Sequence, residues 1–302
     1  MKAQTKKKAT YPEDKRLLVE ESLRKYFPKE NTYPDLIYRA MGHSLFSGGK
    51  RFRPILTLLC AKVFLSDTQS AKLEEVLPIA CAVEYIHTYS LIHDDLPVID
   101  NDLLRRGKPT CHVVFGEDIA ILAGDALLTE AFSLISSSKL SPDKIVRVIS
   151  ELSEASGVRG MIGGQVVDIL STRKPIDLST LEYIHEHKTG CLIKASARIG
   201  AIFLDAGEED LELITEYAHH LGMIFQITDD ILNVIGKTET MGKAKGSDKR
   251  LKKATFPALL GLKKSYELVE EHLRKAIENL DKISKDTSEL VNLAYFVVER
   301  EK

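Results

Sequence analysis

Two aspartate-rich stretches hold the residues best suited to chemistry. The first reads Asp94-Asp95-Leu96-Pro97-Val98-Ile99-Asp100 and runs into Asn101-Asp102-Leu103-Leu104-Arg105-Arg106-Gly107; the second reads Asp229-Asp230-Ile231-Leu232-Asn233. Both close apolar segments, His87 to Ile92 and Leu221 to Thr228. Carboxylates on apolar helices are costly to desolvate unless something pairs with them. An acidic helix end on the surface is the plain alternative, but the helix dipole opposes anions at a C-terminus. Hard oxygen donors in two facing groups suit Mg²⁺ bridging to substrate phosphates.

Spacing sharpens this reading. Asp94 and Asp100 lie six residues apart, about 240° around an ideal helix, and Pro97 fits poorly inside one. A bulge at Leu96-Pro97-Val98 is therefore expected to swing Asp100 back beside Asp94. Asp229 and Asn233 are four apart and share a helical face, but Asn233 offers only a neutral carbonyl. The candidate metal ligands are Asp94, Asp100 and Asp229.

Cations accompany the acids. Gly48-Gly49-Lys50-Arg51-Phe52-Arg53-Pro54 pairs a glycine turn, where backbone can approach a phosphate, with three cations that can grip one. It lacks P-loop spacing, and alone it reads equally as a solvated turn. His87 lies two helical turns before Asp94 on the same face. Lys188-Thr189-Gly190 and Phe225-Gln226 are weak signals singly. The run Lys243, Lys245, Lys249, Arg250, Lys252, Lys253 reads as a solvated face or as a lid over phosphate.

The elements that must position these groups are helices. Tyr266, Val269, Leu273, Ala276, Ile277, Leu280 and Ile283 fall at three- and four-residue steps, as do Ile145, Val146, Val148, Ile149 and Leu152. Ser141-Pro142 reads as an N-cap with proline at the first helical position, and Ser179-x-x-Glu182 as a capping box. The stretch from about Leu77 to Asp95 is apolar nearly all round, the mark of a buried helix, which suits the wall of an oily pocket with metal at its mouth. Val113-Val114-Phe115 is the single β-like run, and no Asn-Gly or Asp-Gly hairpin signal occurs. An all-α fold follows, one large helical bundle around a central cavity spanning 1–302, with residues 1–12 a flexible basic tail.

The bulk numbers agree. The chain has 302 residues, 44% hydrophobic and 28% charged, with net charge −2, so no overall field favours nucleic acid. Cys60, Cys81, Cys111 and Cys191 form no C-x-x-C pair and read as reduced core thiols rather than a zinc site. A cytoplasmic setting without stable membrane insertion is expected, since there is no run of 18 apolar residues and no apolar secretory signal near the start.

Taken in order, these motifs, with Gly163-Gly164-Gln165 and Thr255-Phe256-Pro257-Ala258-Leu259-Leu260-Gly261 added, resemble the trans-isoprenyl diphosphate synthases of the bacterial farnesyl and geranylgeranyl type. The match spans roughly residues 36–262. The resemblance implies three Mg²⁺ ions on Asp94, Asp100 and Asp229, with Asp95 and Asp230 supporting. It implies Arg105, Lys188, Thr189, Gln226 and Lys243 around the allylic diphosphate (dimethylallyl or geranyl). Lys50, Arg53, His87 and Arg106 fall to isopentenyl diphosphate. An all-α homodimer is implied. Tyr89, five residues before the first motif, resembles the bulky residue that stops elongation, which favours the C15 product over C20.

Four positions depart from the family pattern: Asn233 for a third Asp, Leu103 for Asp, His43 for Tyr, and Lys252 for Gly. The loss at 233 predicts a raised Mg²⁺ requirement. It also leaves open a non-catalytic subunit of a prenyl synthase, against which the other intact charges argue. A terpene cyclase would have no use for Lys50, Arg53 and His87. Nucleic-acid binding lacks interleaved aromatics beyond Phe256.

Overall fold

The computed structural model describes residues 9–28, 32–66, 72–235 and 254–300. The basic run from Lys243 to Lys253 lies outside the described residues, and with it the expected roles of Lys243 and the departure at Lys252.

The described chain is helical apart from one two-residue ladder. Its helices are α1 (Glu13–Tyr26), α2 (Asp35–Leu45), α3 (Phe52–Val63), α4 (Lys72–Asp94), α5 (Cys111–Phe115), α6 (Glu117–Ser136) and α7 (Pro142–Ser156). There follow α8 (Met161–Ser171), α9 (Leu178–Ile184), a π-helical turn (His185–Gly190), α10 (Cys191–Phe203) and α11 (Glu208–Ile235). The last three are α12 (Phe256–Leu260), α13 (Leu262–Leu280) and α14 (Ser288–Glu299).

Burial explains the arrangement. Val76, Leu77, Ile79 to Val83, Tyr85 and Ile86 are all buried along α4, and Leu192, Ile193, Ala195, Ala197, Ile199, Ala201 and Ile202 along α10. Helices apolar on every side must be surrounded. α4 packs against α3 and α6, α3 against α10, α10 against α7 and α11, and α11 against α13 and α14. The buried apolar side chains join in one cluster. The start of α3, the end of α4, the last turns of α11 and the end of α14 meet at one end of this bundle.

Several local expectations need correction. Val113, Val114 and Phe115 are helical in α5: a run this short takes its conformation from its surroundings, not from β-propensity. The ladder lies instead at Leu104–Arg105 against Lys108–Pro109. Arg106 and Gly107, both at positive φ (54° and 76°), make its turn, the conformation that Asn-Gly would otherwise signal. The helix expected from a Ser179 capping box is capped two residues earlier, where Asp177 accepts from Thr180 N at 2.9 Å. On the two amphipathic helices, Val269, Leu273, Ala276, Leu280, Val148 and Leu152 are buried, but Tyr266 and Val146 are exposed. Within the expected tail, the described Thr10 and Tyr11 are bonded: Thr10 N donates to Asn292 Oδ1 at 3.2 Å and the Tyr11 hydroxyl donates to the Lys50 carbonyl.

Among the described residues, one helix is long and apolar enough to cross a membrane, contrary to expectation. α6 has 20 residues, with only 33% of its apolar window buried. It nevertheless packs on α4 and carries Asp125 and Glu130.

Candidate active site

The first motif is shaped by a stop. α4 ends at Asp94, and the chain turns at Leu96-Pro97-Val98-Ile99, with Ile99 N donating to Leu96 O at 2.9 Å. Asp100 N then donates to Asp94 O at 3.0 Å. The sharp turn, not a bulge within a longer helix, returns Asp100 to Asp94.

Within each acidic pair the two carboxylates are treated differently. The second of each is buried and held by protein. Asp95 receives Arg105 Nε at 2.8 Å on both oxygens, and Asp230 receives Phe256 N at 2.9 Å. The first of each is more open, with Asp94 17% and Asp229 48% exposed against 5% for Asp95 and 9% for Asp230. Asp94 receives Gln165 Nε2 at 2.5 Å, with Lys188 Nζ 3.6 Å away. Asp229 faces Arg300 Nη2 at 2.7 Å. Its carboxylate touches solvent yet sits in a concave recess dense with protein, and that burial raises its pKa, with Arg300 and Lys50 opposing.

Lys188 and Thr189 stand on the π-helical turn, a distortion common at functional sites because it re-aims consecutive side chains. Lys188 Nζ lies 2.8 Å from Asp168 Oδ2. α8 approaches this turn at backbone distance: a Cβ on Gly164 would lie 2.2 Å from Lys188 N. Gln226 Nε2 donates to His185 Nδ1 at 2.9 Å. His185 Nε2 lies 3.4 Å from Asp230 Oδ2.

The basic group lines a cavity of about 500 Å³. Lys50, Arg53, His87, Arg105, Arg106, Thr189, Gln226, Asp229 and Arg300 all contribute to its wall. Arg51 anchors the glycine turn from behind. It is left-handed (φ 53°), fully buried, and bonded to Glu20 and Glu84 at 2.8 Å and to Leu45 O at 2.6 Å. That network fixes the backbone from which Lys50 and Arg53 project on either side. Arg106 donates to the Gly48 carbonyl, and its guanidinium lies where a Cβ on Gly49 would fall, so only glycine lets it pass.

Arg53 is buried with no partner at Nε, and burial lowers its pKa to about 10. A desolvated guanidinium with an unused donor fits an anionic ligand. His87 is held neutral, its pKa well below the ordinary value through burial and then Arg53 and Arg106; it offers hydrogen bonding rather than charge. Tyr89, one helical turn before His93 on α4, is buried with an unpartnered hydroxyl and sits edge-on to the His93 ring, centroids 5.8 Å apart.

Among the described residues no three His, Cys, Asp or Glu side chains are already gathered as a metal cage. Asp94 and Asp229 instead each have a protein cation beside them. This donor set suits Mg²⁺, which commonly takes one or two carboxylates and completes its shell with water and substrate phosphate.

The structure places Lys50, Arg53, His87, Arg105, Arg106, Thr189, Gln226 and Asp229 in one cavity wall; Asp94 pairs with Lys188 and Asp100 outside that wall, and Tyr89 does not line it. Sequence reasoning missed Asp168, Gln165, His185 and Arg300 as partners of those residues. Gln165 and Asp168 are three apart on one face of α8, a signal available beforehand. Arg300 had none.

An all-α bundle with paired aspartate motifs beside a cationic cavity defines a class of enzyme that handles diphosphates. The chain belongs to the polyprenyl synthetase family, whose pattern matches residues 34–294. It is a short-chain trans-prenyltransferase, a polyprenyl diphosphate synthase. A farnesyl diphosphate synthase of Escherichia coli is 46% identical over 274 residues, 88% of this chain and 90% of the relative. A geranylgeranyl diphosphate synthase of Cyanophora paradoxa is 42% identical over 294 residues, 96% of each. A geranyltransferase from Helicobacter pylori, solved with magnesium and isoprenyl diphosphate, superposes with a TM-score of 0.84 at 31% identity, covering 98% of each chain.

Proposed function

We propose that the enzyme joins isopentenyl diphosphate to dimethylallyl or geranyl diphosphate and stops at the C15 product, farnesyl diphosphate. One observation carries the reading: a single cavity has Lys50, Arg53, His87 and Arg106 in its wall together with Thr189, Gln226 and Asp229. Two anions can then be held side by side, one on cations alone and one on carboxylate-bound metal.

Asp94, Asp100 and Asp229 would hold the metal, three Mg²⁺ ions in all, with Asp95 and Asp230 fixing the motif backbones. Magnesium, when bound, neutralises the charge that builds on the leaving diphosphate. Arg105 and Lys188 add fixed cations on the same side. Breaking the allylic C–O bond leaves a carbocation; Thr189 and Gln226 present oxygen dipoles towards it. Lys50, Arg53, Arg106 and neutral His87 hold isopentenyl diphosphate so that its double bond attacks the cation, after which a proton is lost. The apolar α4 wall keeps water from quenching the cation. Tyr89 closes the space into which the growing chain extends.

A homodimer formed by one domain spanning 1–302 completes the proposal. Ile121 and Leu122 on α6 and Val113 and Val114 on α5 are exposed, an apolar face that a second copy would cover. Four free cysteines favour a reducing, cytoplasmic setting.

The test is a product assay with purified chain, Mg²⁺, isopentenyl diphosphate and dimethylallyl diphosphate. Farnesyl diphosphate should dominate, and Asp94→Asn and Asp229→Asn should each lower kcat by about 10²-fold or more. A dominant C20 product would refute the assigned length. No release of diphosphate at all would leave a non-catalytic subunit.

A further inference from the structure

Arg300 enters the cleft from the far end of the chain. It follows α14 in extended conformation (φ −64°, ψ 143°). Its guanidinium lies 4.0 Å above the Phe225 ring and donates through Nη2 to the Phe225 carbonyl at 2.7 Å. The same Nη2 lies 2.7 Å from Asp229 Oδ1. The side chain is 4% exposed, against 48% for Asp229, and its Nε has no partner. A buried cation with an unsatisfied donor thus rests on the most exposed carboxylate of the second motif.

We propose that Arg300 is a tethered counterion of Asp229 that a divalent metal must displace, so that metal affinity at the second motif is set in part by the C-terminal helix. The proposal rests on Asp229 being a metal ligand. A metal taken up by Asp229 would stand close to the guanidinium, and at about 4 Å like charges in a protein cleft repel by several kcal/mol. Metal entry and guanidinium departure are therefore one exchange. The tether is suited to that exchange. The helix itself packs on α11, α13 and α3, and its outer face takes bonds from the chain start: Asn292 Nδ2 to Thr10 O at 2.6 Å and Ala9 N to Glu299 Oε2 at 3.2 Å. Leu290, Leu293, Ala294 and Val297 keep α14 in the core, but Arg300 follows its last residue, Glu299, so the long side chain can swing away while the helix stays in place.

The expected size follows from the pair's partial exposure. Discounted for solvent, the ion pair holds Asp229 by about tenfold in competition, about 1.4 kcal/mol. The experiment titrates the full chain with Mn²⁺ alone, following the electron paramagnetic resonance signal of the free ion. Arg300→Gln and Arg300→Met should both tighten binding about tenfold. Arg300→Lys, which keeps a cation in place, should stay within about threefold of the parent. Parent-like or weaker binding in both neutral variants overturns the proposal, as does Mn²⁺ uptake equally undetectable in every chain. Melting by circular dichroism confirms that each variant is folded, and either neutral variant suffices. Asp229→Asn separates the two levels of argument. If it binds Mn²⁺ as the parent does while the Arg300 variants also show no change, Asp229 is not a ligand and the earlier assignment fails. If it loses the site while the Arg300 variants show no change, only the counterion role fails.

Discussion

Gly164→Ala tests whether the contact between α8 and the π-helical turn positions Lys188. The added methyl would lie 2.2 Å from Lys188 N, 2.7 Å from Lys188 Cα and 2.8 Å from His187 C. Ordinary contact begins near 3.4 Å, so something must shift by about 1.2 Å. All three neighbours are backbone atoms and cannot swing aside as a side chain would. Overpacking of this kind costs about 1–3 kcal/mol. With an unfolding entropy near 2.1 cal/mol/K per residue, that lowers Tm by about 2–5 °C for this chain. The functional effect should be larger in proportion. Lys188 Nζ is poised 2.8 Å from Asp168 and 3.6 Å from Asp94, and a misplacement near 1 Å can cost about 10²-fold in rate. Steady-state kinetics with both diphosphates saturating, beside a melting curve, separates the two effects. The expected result is a loss of about 10²-fold in kcat with only a few degrees in Tm. A kcat within threefold of the parent, alongside the expected fall in Tm, would refute the idea that this contact positions Lys188.

Three further outcomes are expected. Tyr89→Ala should lengthen the product, read by chromatography of the dephosphorylated prenols; an unchanged C15 spectrum would show that the ring is no stop. Asn233→Asp should lower the Mg²⁺ concentration for half-maximal rate several-fold, and an unmoved titration would rule out Asn233 as the cause of any raised requirement. His220 and His272, with Nδ1 atoms 2.9 Å apart, both have pKa values lowered from 6.5 to about 4, by burial first and then by neighbouring imidazoles and Lys275. The unfolded chain therefore takes up protons first as pH falls. Their contribution to stability is whole above pH 6.5 and drains away between 6.5 and 4. One imidazole accounts for about 2 kcal/mol between pH 6.5 and 5. His272→Asn should flatten the dependence of Tm on pH across that window, and a slope as steep as the parent's would count against it.

Much of the site was legible because its signals are local. Asp94 and Asp100 were paired from their six-residue spacing together with Pro97, which fits poorly inside a helix, although α4 carries Pro78 within it. Lys50 and Arg53 were recognised from the glycines before them, and His87 from its helical phase to Asp94. Less local features went astray. Val113–Phe115 looked like a strand and is a helix; Tyr266 fits a buried stripe and faces outward; the Arg106-Gly107 turn carries an arginine at positive φ that no turn preference anticipates.

What the amino-acid order determined by itself was the inventory: helices from their 3.6-residue apolar period, and acids and cations placed at helix ends. What only the tertiary structure decided was which of these groups meet. Gln165 reaches Asp94 across 71 residues, and Arg300 reaches Phe225 across 75. Such pairings depend on where separate helices end in space, and no periodicity within either helix encodes that. Burial then assigns the partners, because a charge taken out of water must find its counterion among whatever side chains the bundle has brought within reach.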